Sequence, residues 1–196
     1  MVAHAIVAVG ASGGGLEPLR RITERLPRNC DVTVFVVMHS GAASFLPEIL
    51  SWHGKLRVEF AREGESIEAG RIYVAPPDHH MGVGGDHIRL NQGPRVHNVR
   101  PAIDPMFAAV ARAYGRQVMG VVLSGAGSDG AAGIVEIERL GGCSLVQDPR
   151  EARSPSMPKA ALAADSPESL SVEDIAVRVI EFCSRESASR PATLDA

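Results

Sequence analysis

Aromatic side chains are scarce in this chain: one Trp, two Tyr and five Phe among 196 residues, 4% of the total. That scarcity disfavours the base-stacking surfaces that hold single-stranded nucleic acid. Neither sign of charge dominates, with 20 Lys and Arg against 23 Asp and Glu and a formal net charge of -3. No long-range pull toward DNA or anionic lipid is therefore expected. Cysteine is rare, at Cys30, Cys143 and Cys183. An odd number at these spacings matches neither a disulfide framework nor a zinc ribbon and reads most simply as buried reduced thiols. No apolar run is long enough to span a bilayer. The opening "MVAHAIVAVG" lacks the basic segment of a signal peptide, and its apolar part reads as a strand. A cytoplasmic protein is expected, with no nucleic-acid partner and no direct insertion into a membrane.

What is present is a chain with 45% hydrophobic residues, enough to bury one sizeable core. Short apolar runs alternate with amphipathic segments. Residues 5–9, 32–38, 56–60, 72–75, 117–125 and 143–146 read as strands, several apolar throughout, as strands buried on both faces are. Residues 16–26, 44–52 (capped by Ser44), 104–114, 131–140 and 172–183 have helical spacing, and "SPSMPKAAL" begins another short helix. "MGVGGDHIRL", residues 81–90, alternates about a Gly84-Gly85 turn and reads as an exposed hairpin. Residues 1–184 are expected to form a single catalytic domain and 185–196 a frayed polar tail. Strand–helix–strand alternation predicts an α/β fold: a doubly wound, mainly parallel sheet with helices on both faces and a small antiparallel hairpin. Active sites of such folds lie beyond the C-terminal ends of the strands.

At the first of those ends stands "VAVGASGGGLEPL", residues 7–19. Glycine-rich turns between strand and helix serve dinucleotide or phosphate binding, but no choice of glycines here gives G-x-G-x-x-G, and there is no G-K-[ST]. An acidic residue to hold a ribose would end the second strand; His39 is there instead. Gly10-Ala11-Ser12-Gly13-Gly14 does satisfy G-x-S-x-G in the strand-to-helix setting of a nucleophile elbow. A helix start there would aim backbone N–H groups at an oxyanion. The plainer alternative is a glycine-rich helix start with Ser12 as its cap.

A serine nucleophile needs a base, and the base an orienting carboxylate. His39 directly follows the second strand, and Asp129 lies just past the strand that ends near Leu123. With Ser12 they occupy one edge of a parallel sheet. Each has a plain alternative, His39 as a loop histidine and Asp129 as the N-cap of the helix that follows it. His79 and His80 are rival bases, and a histidine pair also invites a metal reading. No cysteine or acidic cluster at ligand spacing supports one, so neither a metal nor a cofactor is expected. The order Ser…His…Asp differs from the Ser…Asp…His of α/β-hydrolases.

These residues resemble the catalytic domain of the bacterial chemotaxis protein-glutamate methylesterases, the CheB family. The resemblance rests on the Gly10–Gly15 loop, "VFVVMHS", "IYVAPPDHHM", "RPAIDPMF", "GVVLSGAGSDGAAG" and "MPKAA", in that order over about residues 5–180. It implies Ser12 as nucleophile, His39 as base and Asp129 as its orienting carboxylate. Gly13 and Gly14, with Ala126 and Gly127, would form the oxyanion and substrate loops. The implied substrate is a glutamate γ-methyl ester on the cytoplasmic helices of a methyl-accepting chemoreceptor, with glutamine deamidation as a second activity. Family members usually carry a phospho-accepting receiver domain ahead of the catalytic one; none precedes residue 5, so a receiver partner in trans is expected. Gly13, Ala126 and Met38 depart from the commoner threonine, methionine and glutamine. A small-ester serine hydrolase and a non-catalytic regulatory domain of the same fold remain as alternatives.

Overall fold

The computed structural model describes residues 5–39 and 44–188. The apolar runs do form strands. β1 (Ala5–Ala11) is buried along its whole length, and β2 (Val32–Met38) pairs with it in parallel. β3 (Arg57–Phe60) and β4 (Arg71–Val74) extend the sheet beyond β2. β7 (Val118–Val122) lies on the other side of β1, followed by β8 (Cys143–Gln147) and β9 (Glu168–Leu170). All pairings in this seven-stranded sheet are parallel, in the order β3-β4-β2-β1-β7-β8-β9. The chain builds outward from β1 to one edge and then crosses back to build the other half. β1 and its two neighbours therefore form the switch point where open α/β sheets place their sites.

Because the strands are apolar on both faces, two layers of helix can cover them. Side chains of α1 (Leu16–Arg25), α2 (Leu46–Ser51) and α6 (Val172–Ala188) pack on Val7, Val9, Val34 and Val121 from one side. Those of α3 (Ile103–Tyr114), α4 (Ala131–Arg139) and α5 (Ser156–Asp165) pack on Ile6, Ala8, Phe35 and Val122 from the other. The doubly wound expectation holds.

Several boundaries differ from the sequence reading. The second helix starts at Leu46 with Phe45 at its N-cap, although Ser44 Oγ still receives the Leu46 N–H at 3.4 Å. The hairpin, β5 (His80–Gly84) and β6 (His87–Asn91), turns at Gly85 and Asp86 rather than at Gly84-Gly85. It is not fully exposed: Met81 and Ile88 are buried in the layer that contains α3. β9 has only three residues and no apolar run to announce it. α6 continues to Ala188, into the stretch expected as a tail; residues 189–196 lie outside the described residues.

Candidate active site

The register of the central strands decides which side chains meet. Ala11 pairs with Met38, so the next residue on each strand is Ser12 on one and His39 on the other. The His39 N–H donates to the Ala11 carbonyl at 3.0 Å, holding the two strand ends together. On the other flank, the Ser12 N–H donates to the Ser124 carbonyl at 3.0 Å, tying the β1 end to the segment after β7. That segment leads to Asp129. The three candidates thus converge from three adjacent strands.

Ser12 Oγ lies 3.2 Å from His39 Nδ1, and His39 Nε2 lies 2.8 Å from Asp129 Oδ2. The Ser12 side chain is half-buried, His39 is 14% exposed and Asp129 only 2% exposed. An ionised carboxylate accepts only, so the His39 ring carries its proton on Nε2 and turns the Nδ1 lone pair to the serine hydroxyl. In the commonest serine-hydrolase arrangement Nε2 faces the nucleophile instead. Position along the sequence cannot reveal this inversion.

Asp129 is held from several directions. Besides His39, its carboxylate accepts the Ile103 N–H at 2.7 Å and the Asp104 N–H at 2.9 Å, the first amides of α3. Burial pushes its carboxyl up, but the His39 bond and these two amides outweigh burial and hold it below the usual aspartate value. The plain alternative made Asp129 the cap of the helix that follows it. The structure assigns the caps crosswise: Asp129 caps α3, while Asp104 of α3 accepts the Gly130 and Gly133 N–H groups at 2.9 and 2.7 Å and caps α4. Gly10 makes the close approach of α3 feasible. A Cβ at this position would lie 2.5 Å from Ile103 Cγ2 and push the helix start away from Asp129.

Of the loops named from the sequence, Gly13 and Gly14 directly follow Ser12, and Ala126 and Gly127 follow Gly125, on which a Cβ would stand 2.8 Å from Ser12 Cβ; all four named residues are exposed. Gly125 differs: its N–H is taken by the Ser154 carbonyl at 2.9 Å, so it cannot serve an oxyanion. Among the described residues the Gly13 N–H has no acceptor. The rival bases are engaged elsewhere: His80 Nε2 donates to the Pro94 carbonyl and its Nδ1 accepts the Ala102 N–H, while His79 Nδ1 bonds the Pro77 carbonyl.

Sequence reasoning missed the supports. Ser124 is fully buried; its Oγ donates to the Gly13 carbonyl and accepts the Ser154 N–H, both at 2.9 Å. Its own N–H goes to Gln147 Oε1 at 2.8 Å. The available signal was a lone hydroxyl closing an apolar strand in "GVVLSG". His97 was missed too. It sits in a left-handed conformation with φ of 51°, and its Nε2 donates to Asp104 Oδ2 at 2.8 Å. His97, Asp104 and Asp129 offer ligand atoms within 4.8 Å of one another, a juxtaposition invisible from spacing. All three already hold protein partners in the capping network.

Comparison with known proteins bears on the family and the fold. The family model for CheB methylesterase matches residues 7–179. A protein-glutamate methylesterase/protein-glutamine glutaminase of Pyrococcus abyssi is 41% identical over 166 residues, which are 82% of this chain and 45% of that protein. The chain thus spans less than half the length of that relative. A putatively assigned protein of the same name from Leptospira interrogans is 36% identical over 87% of this chain and 90% of its own. The crystal structure of the Thermotoga maritima CheB methylesterase catalytic domain superposes with a TM-score of 0.89 at 30% identity, over 92% of this chain and 100% of that one. With the sheet, the strand ends and the family match in agreement, the chain belongs to the CheB methylesterase family.

Proposed function

We propose that this protein hydrolyses glutamate γ-methyl esters on the cytoplasmic helices of chemoreceptors, with Ser12 as nucleophile, His39 as general base and acid, and Asp129 as its orienting carboxylate. The observation that carries the reading is the continuous Ser12–His39–Asp129 hydrogen-bond chain at 3.2 and 2.8 Å. Ser12 Oγ attacks the ester carbonyl while its proton passes to His39 Nδ1. The carbonyl π bond breaks and a tetrahedral oxyanion forms, stabilised by the Gly13 N–H and by the loop at Ala126 and Gly127. Collapse breaks the bond to the methoxy group, and the proton on Nδ1 leaves with it as methanol. Water, deprotonated by Nδ1, then attacks the acyl-serine, freeing glutamate and restoring the hydroxyl. Asp129 stays ionised and stabilises the transient imidazolium.

The same path accepts a primary amide, with ammonia leaving in place of methanol. The names of the relatives pair the two activities, which supports glutamine deamidation at this site. An amide nitrogen is the poorer leaving group, so ester hydrolysis is the faster reaction. The test is methanol release from a methyl-labelled chemoreceptor fragment, wild type beside Ser12→Ala. Release by the wild type alone supports the reading; equal release by both overturns the role of Ser12, and release by neither overturns the substrate.

A further inference from the structure

Beside the nucleophile loop runs a groove of about 540 Å³ between α1, α2 and the segment after β8, lined by Gly14, Leu16, Pro18, Ile49, Arg153 and Val172, among others. Gly14 joins it to the site, two residues beyond Ser12. Apart from Arg153, the arginines along this groove are paired with carboxylates. Arg20 bonds Glu17 and Glu24, Arg21 pairs with Glu173, and Glu151 accepts the Val172 N–H. Arg153 is the exception. It is exposed, and no acceptor reaches its guanidinium among the described residues. Its stem lies against the nucleophile loop: a Cβ built on Gly14 would stand 2.7 Å from Arg153 Cβ and 3.2 Å from its Cδ. The position is therefore fixed by packing while the charge is left unused.

The α2 side of the groove is apolar. Ile49 lines it, and Phe45 and Trp52, four residues before and three after, fall at helical spacing on the same face. Phe45 is 68% and Trp52 72% exposed, in a chain with only eight aromatic residues. Exposed apolar side chains gathered on one face, unlike ones scattered singly, mark interaction surfaces. A bare cation on one side and an apolar stripe on the other fit an amphipathic helix with an acidic edge.

We propose that this groove docks the substrate as such a helix, the α2 stripe covering its apolar face. Arg153 pairs with a carboxylate that lies near the reacting glutamyl ester. The inference rests on the proposed function for its substrate, but its test reads binding and not turnover. In the Ser12→Ala background, the affinity of a fluorescently labelled Glu-rich amphipathic helical peptide is measured by anisotropy at low and high salt. The same measurement uses a peptide with Lys at the acidic positions. Charge reversal removes an attraction and adds a repulsion, so Arg153→Glu weakens the Glu peptide about tenfold at low salt and less at high salt. The same change strengthens the Lys peptide. Equal affinities of Arg153 and Arg153→Glu proteins for the Glu peptide would overturn the proposal, as would an equal loss for both peptides. Equal methanol release by the wild type and Ser12→Ala would instead count against the chemistry assigned to Ser12, and would leave the docking measurement untouched.

Discussion

Replacing Asp129 by asparagine changes one atom and tests the whole site. The carboxylate is 2% exposed and accepts three N–H groups, from His39 at 2.8 Å, Ile103 at 2.7 Å and Asp104 at 2.9 Å. An asparagine has a single acceptor oxygen. With its NH2 at the Oδ2 position it would face two donors, Ile103 and His39; at the Oδ1 position it faces Asp104 alone. The second orientation costs less. It keeps the amide oxygen on His39 but leaves the Asp104 N–H without its acceptor. A buried unsatisfied donor costs about 1–3 kcal/mol, and exchanging charged for neutral acceptors adds to it. Asp129→Asn should therefore lower stability at pH 6 by about 2–3 kcal/mol. The His39 tautomer survives, but the imidazolium no longer faces an anion, so kcat should fall, by less than the ~10⁴-fold that accompanies loss of the tautomer as well. The pH dependence has a definite sign. The Asp129 carboxyl is held below its ordinary value, so its stabilisation is full above the unfolded value, about 3.9. That stabilisation is lost as pH falls through the lower, folded value. Asparagine has no such loss, and the gap between the two proteins should narrow from pH 6 toward pH 3. Urea unfolding followed by far-ultraviolet circular dichroism at both pH values gives the gap, and methanol release at pH 7 gives kcat. A wild-type kcat in the variant would refute the assigned role of Asp129, and a gap independent of pH would refute the hydrogen-bond account.

Other substitutions probe the remaining parts. Ser12→Ala should cost as much as ~10⁶ in kcat while leaving the thermal melting temperature close to that of the wild type, a pairing checked by methanol release and calorimetry. Ser124→Ala strips the Gly13 carbonyl of its donor and the Ser154 N–H of its acceptor; about 1–3 kcal/mol of stability should go in urea melts, with a parallel drop in kcat. Gly125→Ala would place a Cβ 2.1 Å from Met157 Sδ and 2.8 Å from Ser12 Cβ. The displaced nucleophile should lower activity by about 10²-fold, and a variant of unchanged activity would mean that the loop is slack.

Much of this protein is written locally. Ala5–Ala11 and Val32–Met38 are strands because nearly every side chain in them is apolar, and a run that short can be buried on both faces only in a covered parallel sheet. The position of Ser12 and His39 just past those runs follows at once, since the chain must leave the sheet where the apolar residues stop. Asp129 was placed by the same logic after β7. The glycines around Ser12 gave the turn away. Weak signals failed at the margins: β9 is three residues with no apolar pattern of its own, and it exists because the β8 edge offers it a hydrogen-bonding partner.

Only the tertiary structure decided how these ends are joined. Ser12 and His39 are 27 residues apart, His39 and Asp129 90 apart, and no local preference links positions so distant. The strand order sets β1 between β2 and β7, and that places them within reach. The ring nitrogen that faces the serine, the exchange of caps between Asp104 and Asp129, the Gly125 N–H already spent on Ser154, and the guanidinium of Arg153, unpaired among the described residues, were likewise settled by packing. The reason is physical. Burial and backbone hydrogen bonding act on stretches that a local window of sequence contains, so they fix the elements and their ends. Proton positions, caps and free charges depend on which donors and acceptors remain once those elements have closed on one another.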